Sequence, residues 1–190
     1  MKRRSLRIRI EAAWFGILVL ATAGVTVEAK NAKAPAGKPP SMIKAASAPG
    51  AMALDGDTLL YCDRRGARIL NLRSAADSAG TVACPAQGEA DSACSATGMD
   101  VDVRSPPGRP DDIVDAGGKS FAVKGRVVDC ASDGASLAVA TASGVSLLDT
   151  VSGKSRVVDR GGGDRLGIGP NWIVWSTGAT VKWLPRPAAR

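Results

Sequence analysis

The chain has 190 residues, a formal net charge of +7 and no histidine. Without histidine it cannot build Ser-His-Asp or Cys-His nucleophilic systems, or His-ligated zinc and haem sites. The positive charge does not point to nucleic acid, because residues 51–190 carry 16 basic and 16 acidic side chains, interspersed, whereas phosphate binding needs concentrated positive charge.

The excess charge lies in the first 50 residues. Lys2, Arg3, Arg4, Arg7 and Arg9 precede an apolar run from Trp14 to Val27, and Val27-Glu28-Ala29 places small residues at −3 and −1 of a cut before Lys30. This order is that of a cleavable secretory signal over 1–29. The apolar run is shorter than the roughly 20 residues of a spanning helix, so membrane contact is expected only during export. An uncleaved signal-anchor tethering the chain is the alternative. Export implies a periplasmic or extracellular location.

Residues 30–50 are rich in Ala, Pro and Lys, including Lys30, Lys33, Lys38 and Lys44, and read as a linker or disordered leader. Within them Met42 to Ala46 is apolar enough to add a strand at a sheet edge. From residue 51 to 190 one unit recurs: a turn pair, a short apolar strand, a tight turn and a second strand. The turn pairs are Asp55-Gly56, Asp111-Asp112, Asp133-Gly134 and Pro170-Asn171. The central strands are Leu59–Cys62, Ile113–Val114, Leu137–Ala140 and Trp172–Trp175. The strands that follow are Ile69–Leu72, Phe121–Val123, Val145–Leu148 and Val181–Leu184. Inner strands are expected at Met52–Leu54, Met99–Val103, Val127–Ala131 and Leu166–Ile168. Outer ones are expected at Thr81–Ala83, at Arg126–Val128, a stretch contested with the next inner strand, and at Ser155–Val158. No helical stripe follows the signal, so the domain is expected to be all-β. Its propeller-like repeats of antiparallel strands make about four blades or a partial propeller, with an insertion at about 74–110. The last unit lacks a fourth strand, which the leader strand could supply.

The segment Leu59-Leu60-Tyr61-Cys62-Asp63, followed by Ala67-Arg68-Ile69-Leu70-Asn71-Leu72, resembles the repeat of YWTD-type and NHL-like β-propellers. The segment Trp172-Ile173-Val174-Trp175-Ser176-Thr177, with Thr180 to Pro185, is similar to the same unit, and Ala138–Asp149 resembles a WD40-like blade core. The resemblance covers roughly 51–185 and implies a β-propeller; with fewer units than the family usually has, the chain is expected to form a small ring, a partial propeller completed by another chain, or a curved open sheet.

The even set Cys62, Cys84, Cys94 and Cys130 lacks the paired close spacing of a thiolate metal site, so disulfides are expected. The favoured pairs are Cys84–Cys94, closing a small loop in the insertion, and Cys62–Cys130. Trp172, Trp175 and Trp183 are candidate ligand-contact aromatics, weighed against packing between blades. Asp100, Asp102, Asp111, Asp112 and Asp115 are candidate calcium ligands or acid–base carboxylates, weighed against ordinary strand and turn chemistry. Tyr61 and Glu89 complete the narrow catalytic repertoire. The Gly-Lys-Ser triplets at 118–120 and 153–155 lack the first glycine of a phosphate loop. Gly161-Gly162-Gly163 has no strand–helix unit around it. Ser41 and Lys44 lack the companion motif of a serine–lysine nucleophile.

The resulting expectation is an exported, non-enzymatic binding or scaffold module with no cofactor. Its partner is a protein or glycan, and a homo-oligomer is expected if the ring is incomplete. The rival readings are an exported enzyme with an Asp-based or metal-assisted site, for example acting on polysaccharide, and a truncated paralogue without activity of its own.

Overall fold

A computed structural model describes residues 39–84, the backbone of 94–96, and 99–186. The expected signal at 1–29, the leader up to 38, and Glu89 lie outside the described residues. The described chain is all-β and forms four sheets. In blade 1, β2 (Ala51–Asp55), β3 (Thr58–Asp63), β4 (Gly66–Asn71) and β5 (Ala76–Ala79) make an antiparallel meander. Blade 2 is β7 (Val101–Arg104), β8 (Asp112–Ala116) and β9 (Lys119–Val123). Blade 3 is β10 (Val127–Ser132), β11 (Ser136–Thr141), β12 (Gly144–Asp149) and β13 (Ser155–Asp159). Blade 4 is β14 (Arg165–Ile168), β15 (Trp172–Thr177) and β16 (Thr180–Pro185).

Two strands come from outside these meanders. β1 (Ser41–Lys44) runs antiparallel to β16, with Met42 opposite Lys182 and Ile43 opposite Val181, and becomes the fourth strand of blade 4. The leader therefore provides the missing edge strand, and Ile43 packs against the core between blades 4 and 1. β6 (Cys94–Ala96) lies parallel to β10 on the inner side of blade 3, the one parallel pairing among the described residues.

Each sheet buries apolar side chains in walls against its neighbours. Leu59, Tyr61, Leu70 and Leu72 of blade 1 meet Val174, Val181 and Trp183 of blade 4. Val114, Phe121 and Val123 of blade 2 meet Leu137, Val139 and Leu148 of blade 3. Ala138, Ala140 and Val145 of blade 3 meet Leu166, Ile173 and Trp175 of blade 4. The order in space is thus 2-3-4-1. Among the described residues no core cluster joins blade 1 to blade 2.

The central strands fall where the apolar pattern predicts, but two outer strands do not. Blade 1 ends in Ala76–Ala79 rather than Thr81–Ala83. Arg68 fixes it there, donating through Nη2 to Asp77 Oδ2 at 2.9 Å and through Nε to Oδ1 at 3.2 Å. Arg126–Val128 supplies no outer strand to blade 2, because Val127 already opens the inner strand of blade 3. The stretch read as an insertion, 74–110, holds β5, β6 and β7.

The disulfide pairing also differs from the favoured one. Cys62 is joined to Cys84, with Cα atoms 5.9 Å apart, rather than to Cys130, and Cys84 is not joined to Cys94. After β5 the chain folds back over blade 1, where the Gly80 amide donates to Ala67 O at 2.8 Å and brings Cys84 to the end of β3. Cys130 sits in blade 3, in the wall facing blade 2, and is itself disulfide-bonded. The backbone of Cys94 is its register partner. The glycine run at 161–163 is a packed crossing. Gly162 has φ +78°, and a Cβ there would stand 2.5 Å from Ala142 O.

Proteolysis without reduction should release a linked Cys62–Cys84 peptide pair and none joining Cys84 to Cys94. Replacing Ile43 by Lys should cost about 2 kcal/mol of burial and lower Tm by several degrees, read by calorimetry. An unchanged Tm would mean that β1 contributes nothing to closing blade 4.

Candidate functional site

The polar side chains of the central strands sort into those that join blades and those left on the surface. An indole carries an apolar ring and one N–H that must find an acceptor when buried. Trp175 is fully buried and donates to Asp159 Oδ2 at 2.8 Å, the same oxygen that accepts from Lys182 Nζ at 2.8 Å. Trp183, 2 % exposed, donates to Leu72 O at 2.9 Å. Trp172, partly buried, donates to Asp57 Oδ1 at 2.7 Å. All three tryptophans of the candidate aromatic cluster therefore lie in walls between blades, and Trp175 and Trp183 have no ring face open to a ligand. Tyr61 is fully buried in the same way.

The carboxylates divide similarly. Asp112 is buried and accepts from the Val127 amide and Ser105 Oγ, each at 2.8 Å, and from Arg126 Nη1 at 2.5 Å. Burial opposes its charge, but these donors outweigh it and hold the carboxyl below its ordinary range. It is the clasp between blades 2 and 3. Asp111 accepts from the Gly125 amide at 2.9 Å. Asp63 accepts from the Ala46 amide at 2.8 Å and pairs with Arg65 at 2.7 Å, tying the leader to blade 1. Its burial works against ionisation, yet Arg65 and the two backbone amides bring the pKa from 3.8 to about 2. Sequence reading did not single out Asp129, a carboxylate inside the apolar strand Val127–Ser132. Burial raises its pKa, although the Leu166 amide of blade 4 donates to it at 2.8 Å. The signal was there: an acid flanked by valines and a cysteine.

What remains is a cleft of about 270 Å³ on blade 2, lined by Asp100, Val101, Asp102, Asp115, Ala116 and Gly118. Asp102 stands directly across the β7–β8 ladder from Asp115, so three of the five candidate carboxylates share this cleft. Arg104 Nε lies 2.5 Å from Asp115 Oδ2, and Ser120 donates to the other oxygen. These contacts, Arg104 first, lower the Asp115 pKa. The side chains of Asp100 and Asp102 make no hydrogen bond or salt bridge among the described residues. Sharing the cleft does not make them a metal-ligand set: among the described residues no group of three or more acidic or Cys side chains is placed to hold a metal ion. The cleft can accept hydrogen bonds and positive charge from a ligand. Asp111 and Asp112 take no part in it.

No protein-family model and no curated protein matches the sequence. Among solved structures, the chain is similar to the computationally designed Ika4 protein, at 14% identity over 76% of this chain and 95% of that one, with a TM-score of 0.33. It is similar to Kuenenia stuttgartiensis hydrazine synthase, at 18% identity over 70% of this chain and 43% of that one, and to BamB from Moraxella catarrhalis, at 14% over 70% and 42%, both with a TM-score of 0.33. The chain thus spans less than half of the latter two. The class that the geometry of the described residues defines is a propeller-like, all-β protein with four sheets.

Asp63 makes the acid limb of stability testable. Its lowered pKa adds stability that is complete above the ordinary carboxylate value and is lost as pH falls through the folded value. Tm should therefore drop between about pH 4 and pH 2, and Asp63→Asn should flatten that limb in a thermal scan series. Asp159→Ala strands Lys182 and the Trp175 indole in the wall between blades 3 and 4 and should cost about 3 kcal/mol, measured by denaturant unfolding.

Proposed function

We propose that this protein is an exported, non-catalytic binding module that uses the acidic cleft of blade 2 to hold a protein or glycan partner. One observation carries this reading. Most described carboxylates are spent on joining strands and blades, whereas Asp100 and Asp102 are left unpaired beside a cleft. Carboxylates so placed accept hydrogen bonds from sugar hydroxyls or from cationic side chains without needing a metal. The signal-like segment at 1–29 and the Cys62–Cys84 disulfide support an oxidising destination. A second reading, an Asp-based hydrolase, draws on the shared position of Asp100, Asp102 and Asp115. It is disfavoured because Arg104 and Ser120 engage both oxygens of Asp115 and hold it as an ionised structural carboxylate.

The test uses the double variant Asp100→Asn, Asp102→Asn, which touches no wall and should leave Tm within about 1 °C of the parent. Retention of parent and variant on immobilised cell-surface glycans and basic peptides should differ at least tenfold. Equal retention would reject the cleft. Activity toward polysaccharide that is lost in the variant would instead select the hydrolase. For export, the N-terminus of the protein recovered from the exported fraction should be Lys30, and recovery of an uncut chain in the membrane fraction would select the signal-anchor.

A further inference from the structure

Blades 1, 3 and 4 each have an antiparallel outer strand beyond the third, and blade 4 obtains its own by docking the distant leader strand β1. Blade 2 stops at its third strand, β9, among the described residues. Yet β9 is not a marginal strand, because Phe121 and Val123 are 2 % and 5 % exposed in the wall against blade 3. The β8–β9 hairpin turns through Gly117 and Gly118, both at positive φ, 57° and 73°. In this two-residue turn the flanking residues Ala116 and Lys119 exchange both ladder hydrogen bonds, and the pattern then alternates. Lys119, Phe121 and Val123 therefore pair with β8, while Ser120 and Ala122 direct their backbone N–H and C=O groups to the open side.

Natural edges are guarded by charge, proline or bulges. The edge strand of blade 3 has such guards, with Arg156, Asp159 and an irregular register along it. β9 has one charge, Lys119, and its ammonium donates to Thr150 O at 2.8 Å and to Val151 O in blade 3, away from the edge. Ala122 is exposed and the Ser120 hydroxyl is turned to Asp115, so no long side chain overhangs the edge.

We propose that β9 is the contact edge of a homodimer, in which two copies pair their β9 strands antiparallel about a two-fold axis at Phe121. Ser120 then faces the partner's Ala122 and exchanges both backbone hydrogen bonds with it, as Ala122 does with the partner's Ser120. Lys119 faces the partner's Val123, so no like charges oppose each other. A self-complementary pairing of this kind is what a two-fold interface requires, and the two blade-2 sheets become one continuous sheet. The contact is short and mainly backbone, which makes the dimer weak and concentration-dependent.

Sedimentation velocity of the signal-free chain, from micromolar to submillimolar concentration, should show a monomer–dimer equilibrium. Ala122→Pro removes an outward N–H that β8 does not use, a change tolerated on an edge, and should weaken dimerisation at least tenfold with Tm kept. Amide exchange of the unmutated chain supplies an independent readout: Ser120 and Ala122 should exchange slowly at high concentration and fast on dilution. A monomer throughout, or a dimer that survives Ala122→Pro in a folded protein, overturns the proposal. So does protection of these amides that does not change on dilution, which would mean that the edge is filled from within the chain.

Discussion

The structure depends on one constraint: a small sheet cannot stand alone in water and must bury its apolar face against another sheet. Here three such walls are built the same way, with aliphatic and aromatic side chains in the middle and polar contacts across the rim. Where a tryptophan enters a wall, its indole N–H would be stranded without an acceptor. Asp57, Asp159 and the Leu72 carbonyl supply the acceptors. The inter-blade contacts thus require apolar mass and carboxylates together, and this governs which acidic residues remain for anything else.

That constraint also accounts for the chain's unusual economy of charge. Arginine and lysine answer the wall and turn aspartates at 2.5–2.9 Å in several places, among them Arg68–Asp77, Arg126–Asp112 and Lys182–Asp159. A domain with equal numbers of acids and bases therefore has little free charge of either sign in its packed regions. The unpaired carboxylates Asp100 and Asp102 stand out because most of the other described carboxylates are occupied and these two share a cleft. Their position on β7 and just before it, in the blade that lacks a fourth strand among the described residues, places the surface features of interest on blade 2.

Two staples hold segments that lie outside the meanders. β1 supplies the fourth strand to the last blade, so that the leader and the final hairpin stabilise each other. The Cys62–Cys84 bond fixes the chain leaving β5 against blade 1. Both are long-range closures that limit the freedom of the unfolded chain as well as adding native contacts.

The repeating strand pattern was legible because a half-buried strand must alternate or run apolar and a tight turn must use Gly or Asx. Leu137–Ala140, Trp172–Trp175 and the use of the leader as an edge strand all follow from local chemistry of that kind. The outer strand Ala76–Ala79 was not legible, since Ala-Asp-Ser-Ala has no strand preference and is held by Arg68, a partner on the neighbouring strand. The disulfide partner of Cys62 was hidden for a related reason: it depends on the return of the chain over blade 1, which a backbone hydrogen bond from Gly80 directs. Of the candidate site, the sequence marked Asp100, Asp102 and Asp115 as dense carboxylates, but only the register across β7 and β8 brought them to one cleft and sent Asp112 inward. The tryptophans show the division most clearly. Sequence alone determined that three large indoles on the last hairpin need both a hydrophobic neighbour and an acceptor. Tertiary structure alone decided that blades 1 and 3 provide them, because an acceptor more than a hundred residues away in the chain, such as Asp57 for Trp172, is chosen by packing and not by local propensity.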